Sequence, residues 1–309
     1  MKTSPSLYRA KKESSRQLKG RLVAHLGKAL IVEDENGLTY RCQKRTQLEQ
    51  PAVGDAVEWI KTEANAGRVE KVLDRKSLLS RPAKNGQTRP VAANLDQIVI
   101  IIAVKPAIDP LLLDQYLVVC EFQKIIPLIV LNKIDLLDDQ TRPNISELTS
   151  LYQHLGYEVI EVSAAKKKGL DTLRTRLRNE SSILVGQSGV GKSTITNALL
   201  PDLDLQTKAL SKTSGLGKHT TTSSTLYKLP EGGDIIDSPG VNIFGLAHIT
   251  EQTLAYGYRE INQLADQCKY ANCQHLKEPN CAVKDAVDKG DISKQRYLRY
   301  LKLRDKLVY

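Results

Sequence analysis

The sequence has no long hydrophobic run and few cysteines. Its longest unbroken apolar stretch is the seven residues 98–104, whereas a membrane-spanning helix needs about 20. Five cysteines in 309 residues are too few and too unevenly spaced for a disulfide framework. The N-terminus is polar and basic, without the apolar segment of a secretory signal. These absences predict a cytoplasmic protein with no membrane contact.

An uneven excess of positive charge is present instead. The net charge is +10, and residues 1–80 carry 16 lysines and arginines against 10 acidic residues. Residues 81–240 are nearly neutral, with 18 against 17, and residues 241–309 carry 11 against 8. Basic flanks around a neutral centre favour contact with a polyanion. The alternative is that the charge belongs to a disordered tail that only aids solubility, and we expect residues 1–17 to be a basic flexible tail.

Residues 18–80 have the pattern of short strands. Apolar and polar residues alternate around a turn signal at residues 34–37, and further short runs are broken by glycine and proline. The pattern predicts a small closed barrel, for which an OB-fold is the leading choice and an SH3-like barrel the alternative. Residues 81–90 contain two prolines and a glycine and are interpreted as a linker.

Residues 91–246 alternate strand and helix patterns, which predicts an α/β domain with a parallel sheet covered on both faces. Residues 247–309 are interpreted as a helical domain that ends in a basic helix over 293–306. In the α/β domain, strands are predicted at 97–104, 126–131, 158–162, 182–186, 225–229 and 234–237, and helices near 110–123, 144–155, 169–179 and 191–200.

A Walker A loop, GQSGVGKS, occupies residues 186–193 between a predicted strand and a predicted helix, the context that this motif requires. Its glycines let backbone N–H groups turn toward phosphates, and the helix start adds partial positive charge. We expect Lys192 to reach the β- and γ-phosphates and to act in catalysis, and Ser193 to ligate Mg²⁺. The predicted phosphate-binding residues are Gly186, Gln187, Ser188, Gly189, Val190, Gly191, Lys192, Ser193 and Thr194.

The motif NKID at 132–135 indicates which base is bound. The carboxylate of Asp135 can accept the N1 and 2-amino hydrogens of guanine, whereas adenine would leave it unpaired. Asn132 can bond to N7, and the stem of Lys133 can lie over the purine ring. The predicted base-binding residues are Asn132, Lys133, Ile134 and Asp135, with Ser163 and Ala164 as a second base loop. The expected nucleotide is therefore GTP and not ATP.

The order of these motifs is unusual, because the base-reading motif precedes the phosphate loop. Ordinary GTPases have the reverse order, so the chain is predicted to be a circular permutation of that fold. The motif DSPG follows at 237–240. There, Asp237 is expected to hold Mg²⁺ through a water, and the N–H of Gly240 to sense the γ-phosphate.

Residues 206–225 are rich in serine, threonine, lysine and glycine and are interpreted as a mobile switch loop. One of the threonines at 220–222 is expected to close on Mg²⁺, and Thr221 is favoured. Val241 follows DSPG where many GTPases carry a glutamine that orients the attacking water, which predicts slow intrinsic hydrolysis. His219 is the candidate substitute for this glutamine, and simple solvent exposure is the alternative.

A cluster of potential metal ligands lies near the C-terminus, with the spacing C-x4-C-x-H-x5-C. Three thiolates and one imidazole complete a tetrahedral structural zinc site with no position for a catalytic water. The alternative is four unrelated reduced side chains, which their density disfavours. The predicted ligands are Cys268, Cys273, His275 and Cys281.

These motifs resemble the circularly permuted RsgA (YjeQ) GTPases of bacterial small-subunit assembly. The resemblance rests on NKID, GQSGVGKS and DSPG, with GKHTTT at 217–222 and CKYANCQHLKEPNCAV at 268–283. It implies an OB-fold, a permuted GTPase domain and a zinc domain. It also implies contact with ribosomal RNA on the small subunit, and subunit-stimulated hydrolysis of GTP during late maturation. Lys218 departs from the family pattern without a clear consequence.

The leading hypothesis is a monomeric GTPase that acts as a timed switch on an RNA surface. An RNA-binding module in which the nucleotide only stabilises the fold is the first alternative, and a P-loop ATPase or kinase is the second. Because DSPG runs directly into residues 247–309, we also expect the permutation to connect the γ-phosphate sensor to the zinc domain. Replacing Asp237 with alanine should then uncouple the nucleotide state from subunit affinity.

Overall fold

The computed structural model describes residues 17–27, 29–82, 87–203, 207, 213, 224–238, 246 and 249–307. Three of the predicted site residues, His219, Thr221 and Gly240, lie outside this part of the chain. Among the described residues, no helix is both long enough and apolar enough to span a membrane.

The N-terminal strands close into a five-stranded barrel. They are β1 (Leu18–Leu26), β2 (Ala29–Glu33), β3 (Thr39–Lys44), β4 (Ala56–Glu63) and β5 (Ala66–Val72). The strand order is β1-β2-β3-β5-β4, and β4 pairs back with β1. The parallel pairing of β3 with β5 gives the connectivity of the predicted OB-fold. Alternate residues of these strands point inward, around the fully buried Trp59.

Residues 81–90, interpreted as a linker, lie partly in a β-hairpin. Strands β6 (Leu78–Pro82) and β7 (Thr88–Ala93) form a separate two-stranded antiparallel sheet. The linker interpretation was therefore wrong for both ends of the segment. Prolines are compatible with such a sheet because each strand has an edge where no N–H is needed, and Pro90 lies opposite Ser80 at a shift in register.

The central sheet has the order β10-β9-β8-β11-β13-β12. All neighbours in it are parallel except β12 and β13. Helices α1 and α2 pack on one face, and α3 and α4 on the other. The elements are β8 (Gln97–Ala103), α1 (Pro110–Gln123), β9 (Ile126–Asn132), α2 (Arg142–His154), β10 (Glu158–Glu161), α3 (Leu170–Leu177), β11 (Ser181–Val185), α4 (Lys192–Leu199), β12 (Thr225–Lys228) and β13 (Asp234–Asp237).

The C-terminal part is helical, as the sequence predicts. It contains a 3₁₀ turn (Leu254–Gly257), α5 (Arg259–Ala265), α6 (Ala282–Lys289) and α7 (Lys294–Asp305). Its core packs on α1 through Val118, which is fully buried with Leu254 and Tyr258. The C-terminal domain is thus docked on the helix that follows β8.

The barrel and the central sheet are hydrogen-bonded to each other. Strand β1 pairs antiparallel with β12 at Ala24 and Thr225, so the strand order runs without a break from one domain into the other. Arg21 strengthens the junction, because its guanidinium bonds to the carboxylate of Asp234 and, at 2.9 Å, to the hydroxyl of Ser181. The predicted domain boundaries stay predictions, although this junction positions the barrel directly against the central sheet.

Buried charges hold the C-terminal helices on the central domain. Arg296 of α7 is 1% exposed, and it bonds to the carboxylates of Asp114 in α1 and Glu260 in α5. Arg299 also reaches Asp114, at 2.6 Å from Nε to Oδ2, and the hydroxyl of Tyr152 donates to the same carboxylate. One buried carboxylate therefore ties α1 and α2 to α7.

Replacing Arg296 with methionine is expected to lower the free energy of unfolding by about 3–5 kcal/mol, because Asp114 and Glu260 would lose a buried counter-charge. Lys302→Met removes a charge from an exposed position of the same helix and should cost less than about 0.5 kcal/mol. Denaturant titration of both variants checks this. Equal midpoints for the two would show that the buried pair contributes nothing to stability.

Candidate nucleotide site and metal centre

The phosphate loop joins β11 to α4. Its three glycines all have positive φ, and Gly186 and Gly191, at +142° and +97°, are in addition closely packed. A Cβ on Gly186 would lie 2.2 Å from the carbonyl oxygen of Ile101, and one on Gly191 would lie 2.4 Å from the side-chain nitrogen of Asn132. These close approaches bring the loop against both β8 and the base-reading motif.

Lys192 is the first residue of α4, and its side chain folds back onto the phosphate loop. Its ammonium group donates to the carbonyl oxygens of Gly186 at 2.7 Å and Gln187 at 2.8 Å. Burial lowers the pKa of Lys192, and the nearby carboxylate of Asp237 opposes this shift. Burial likewise raises the pKa of Asp237, and Lys192 opposes it. Lys192 and Asp237, which are predicted to act on the phosphates and Mg²⁺, are therefore close enough for the charge of each to affect the pKa of the other.

The start of α4 opens into a cavity of about 390 Å³. Ser193 and Thr194 are exposed there, in the first turn of the helix, where backbone N–H groups have no partner within the helix itself and favour anions. This combination suits a phosphate chain with its divalent ion. The cavity is lined by Lys133, Ser188, Gly189, Gly191, Lys192, Ser193 and Thr194.

Asn132, at the end of β9, joins the phosphate loop to the second base loop. Its amide nitrogen donates to the carbonyl oxygen of Val190 at 2.9 Å, and its oxygen accepts the N–H of Ala164 at 3.2 Å. The side chain is 2% exposed. Sequence reasoning assigned Asn132 to the base alone, and it missed this bridging role because a contact between distant loops leaves no local pattern.

Lys133 is held along the rim of the cavity. Its ammonium group donates to the carbonyl oxygens of Lys105 at 2.7 Å and Gly189 at 2.6 Å. This anchors the aliphatic stem beside the space where the sequence predicts the purine ring. Ile134 follows in a 3₁₀ turn (Ile134–Leu136), which brings the next residue, Asp135, to the surface.

Ser163 orients Asp135. Its hydroxyl donates to the Asp135 carboxylate and accepts the N–H of Lys166 at 3.1 Å. Ser163 is fully buried while Asp135 is exposed, so the carboxylate is fixed on one side and open on the other. The two predicted base loops therefore meet, with Ser163 placed as a support for Asp135, the residue that the sequence predicts to read the base.

The metal-ligand cluster is compact. The ligand atoms of Cys268, Cys273, His275 and Cys281 all lie within 4.8 Å of one another. Nδ1 of His275 is 3.6 Å from the sulfur of Cys268 and 3.4 Å from that of Cys281, and the two sulfurs are 3.9 Å apart. Tetrahedral zinc with ordinary bond lengths requires about 3.6 Å between sulfur and nitrogen and about 3.8 Å between sulfurs. Cys268, His275 and Cys281 thus have the spacing of a tetrahedral metal site, and Cys273 is close enough to be its fourth ligand.

The backbone around the cluster is fixed by hydrogen bonds. The hydroxyls of Tyr297 and Tyr300 in α7 donate to the carbonyl oxygens of His275 at 2.5 Å and Gln274 at 3.1 Å. The carboxylate of Glu278 accepts the N–H groups of Gln274 and Leu276 at 2.9 and 2.7 Å. Two tyrosines of α7 therefore support the loop that carries the cluster.

A basic groove of about 1080 Å³ crosses the barrel. Burial lowers the pKa of His25, and the charges of Arg89 and Lys44 lower it further, which places these three side chains close together. Such a concentration of positive charge on a concave surface suits a polyanion. The basic groove is defined by His25, Arg41, Lys44, Arg68 and Arg89.

The NKID motif, the phosphate loop and Asp237 all lie at the carboxyl ends of strands of the central sheet, where nucleotides bind in α/β folds. The chain order of these motifs is permuted, while their positions in space form one site. Together with the barrel and the Cys₃His cluster, they define the protein as a circularly permuted P-loop GTPase.

The profile of the RsgA GTPase family matches residues 72–247. The chain is 45% identical over 295 residues to the Small ribosomal subunit biogenesis GTPase RsgA of Alcanivorax borkumensis, covering 93% of this chain and 84% of that protein. It is 44% identical over 280 residues to the protein of that name from Haemophilus influenzae strain PittGG, covering 89% and 81%.

Two solved structures are similar over nearly the whole chain. YjeQ from Thermotoga maritima superposes with a TM-score of 0.77 at 32% identity, covering 95% of this chain and 99% of that one. YloQ, described as a circularly permuted GTPase, has a TM-score of 0.74 at 28% identity and covers 98% of both chains. This chain therefore belongs to the RsgA GTPase family and is a GTP hydrolase, and the predicted fold class is confirmed.

Proposed function

We propose that the protein binds the small ribosomal subunit and hydrolyses GTP to GDP and phosphate during late subunit maturation, with turnover stimulated by the subunit. The observation that carries the proposal is the joining of Asp135, the phosphate loop and Asp237 in one site on a chain with a basic groove. The names of the relatives support ribosome biogenesis as the setting. In this proposal the protein works in the cytoplasm as a monomer.

The described residues divide the work on GTP. Asp135, held by Ser163, accepts the hydrogens of guanine, and the side chain of Asn132 approaches N7 while it keeps the two base loops together. Lys192 leaves the loop carbonyls to bind the β- and γ-phosphates, where its charge stabilises the negative charge that grows during transfer. Ser193 and Asp237 would hold the Mg²⁺ that comes with GTP, which would neutralise part of the charge on the phosphate oxygens.

The outer parts of the molecule are proposed to contact RNA. Among the described lining residues of the basic groove, Glu63 is the single carboxylate, so the positive charge of the groove is largely not neutralised. Phosphate contacts of this kind depend strongly on salt.

The Cys₃His cluster is proposed to hold one structural zinc ion, which matches its sulfur-rich ligand set and closed coordination. His219 and Thr221 keep the roles that the sequence assigns them.

The proposal is tested by measuring GTP and ATP turnover with and without purified small subunits. We expect GTP to be preferred and subunits to raise its turnover. The double variant Lys44→Ala, Arg89→Ala should need about tenfold more subunit for half-maximal stimulation, since two phosphate contacts are lost. Lys71→Ala, on another exposed part of the barrel, is the matched control. No stimulation of the wild type would refute the ribosomal role, and preference for ATP would refute the assignment of the base.

An RNA-binding module that uses nucleotide only for stability is the remaining candidate from another class. Lys192 and Asp237 argue against it, because a purely structural site does not need this pair of opposite charges beside the phosphates. His219→Ala adds a separate test, since unchanged stimulated turnover in that variant would remove His219 from the mechanism.

A further inference from the structure

One serine, Ser224, is hydrogen-bonded both to the barrel and to the start of the DSPG motif. Ser224 directly precedes β12, and Ser238 directly follows Asp237 at the end of β13. Because Thr225 pairs with Asp237 across these strands, the two serines lie side by side, and their hydroxyl oxygens are 2.6 Å apart. This hydrogen bond connects the strand that leaves the switch segment to the start of the DSPG motif.

The same serine is bonded to the barrel. The backbone N–H of His25, in β1, donates to the carbonyl oxygen of Ser224 at 3.1 Å. Ser224 therefore uses its carbonyl for the barrel and its hydroxyl for Ser238. Earlier in β1, Arg21 bonds to Asp234 at the far end of β13, so β1 is connected across β12 to the strand that carries Asp237.

The barrel end of this connection lies in the basic groove. His25 lines that groove with Lys44 and Arg89. An anionic partner seated there would act on the residue whose N–H reaches Ser224. A path of hydrogen bonds thus runs from His25, in the groove, through Ser224 to Ser238, the residue next to Asp237.

We propose that Ser224 and Ser238 are positioning residues for GTP hydrolysis, through which occupation of the basic groove is transmitted to Asp237. The ligand of the groove is the phosphate backbone of RNA, so the inference rests on the proposed function for its stimulating partner. RNA bound in the groove can shift the ends of β12 and β13 only if it binds one arrangement of these strands more tightly than another. We therefore infer that the groove makes better contacts with RNA when β1 is in the position that favours hydrolysis.

The test uses the full-length wild type and the variants Ser224→Ala, Ser238→Ala, their double and Ser238→Thr. With small subunits present, each alanine variant should lose about tenfold in stimulated kcat, the value of one hydrogen bond, while KM for GTP changes less than about twofold. The double variant should be no worse than either single, since both lose the same bond. Ser238→Thr, which keeps the hydroxyl, should be close to the wild type, and Ser150→Ala at an exposed site of α2 should change nothing.

Wild-type stimulation in both alanine variants, or losses that multiply in the double variant, would overturn the inference. If the wild type itself is not stimulated, the proposed function fails, and the inference is decided by binding without subunits. Each alanine variant should then lose about tenfold of its preference for a non-hydrolysable GTP analogue over GDP, because Ser238 lies within the motif expected to sense the γ-phosphate. An unchanged preference would overturn it.

Discussion

Replacing Asp135 with asparagine is expected to weaken GDP and GTP binding by roughly 10²- to 10⁴-fold, because two hydrogen bonds to a charged acceptor are lost. The variant should gain affinity for xanthosine nucleotides, whose 2-oxo group accepts a hydrogen where guanine donates. Ser163 strengthens this expectation. Its hydroxyl donates to the side-chain oxygen at position 135, and the amide NH₂ of asparagine would therefore be turned toward the base.

Equilibrium titration with fluorescent GDP and XDP measures both changes. Asp139→Asn is the matched control, since it makes the same substitution on an exposed acid nearby and should leave both affinities within about twofold. Asp135→Asn with wild-type affinity for GDP would show that this carboxylate does not read the base. The wider assignment of the pocket to guanine would then fail.

Removing the metal should unfold the C-terminal helices. Structural zinc sites in small domains contribute about 10–16 kcal/mol, which exceeds the stability of most isolated domains. The loop that carries Cys268 and Cys273 has little apolar core of its own, so its fold depends on the four ligands. Chelation, or the variant Cys281→Ser, should abolish helical circular dichroism from α5–α7 and open this region to protease.

The barrel provides an internal reference for that experiment. The single tryptophan, Trp59, is fully buried in the barrel core, so its fluorescence should stay native while the C-terminal helices are lost. Lys277→Ala replaces an exposed side chain between the predicted ligands His275 and Cys281, and this variant should keep the metal and the helices. A chelated protein that keeps its full helix signal and its resistance to protease would contradict the prediction and assign the stability to the buried charges at Arg296.

Much of the fold could be predicted because its signals are local. Strand β8 is apolar from Ile98 to its end and every residue in it is buried, and the phosphate loop is specified by its own glycines. The cysteine spacing likewise predicted four residues whose ligand atoms the structure places within 4.8 Å of one another. Each of these patterns depends on neighbours in the chain.

The features that escaped prediction depend on residues far apart in sequence. Arg296 and Asp114 are 182 positions apart, and each alone is typical of a surface residue. The hairpin β6–β7 was obscured by prolines that an edge tolerates. The support of Asp135 by Ser163 joins two loops, and the pairing of β1 with β12 joins two domains. Such contacts leave no local pattern in the sequence from which they could be predicted.

The pairing of β1 with β12 also bears on solubility. Strand β12 is the last strand of the central sheet, and without the barrel its outer side would be an open edge with unpaired N–H and C=O groups. Such edges recruit strands from other molecules. A fragment cut to the GTPase domain alone would therefore be prone to self-association, whereas in the intact chain the barrel occupies part of that edge and acts as an intramolecular guard against aggregation.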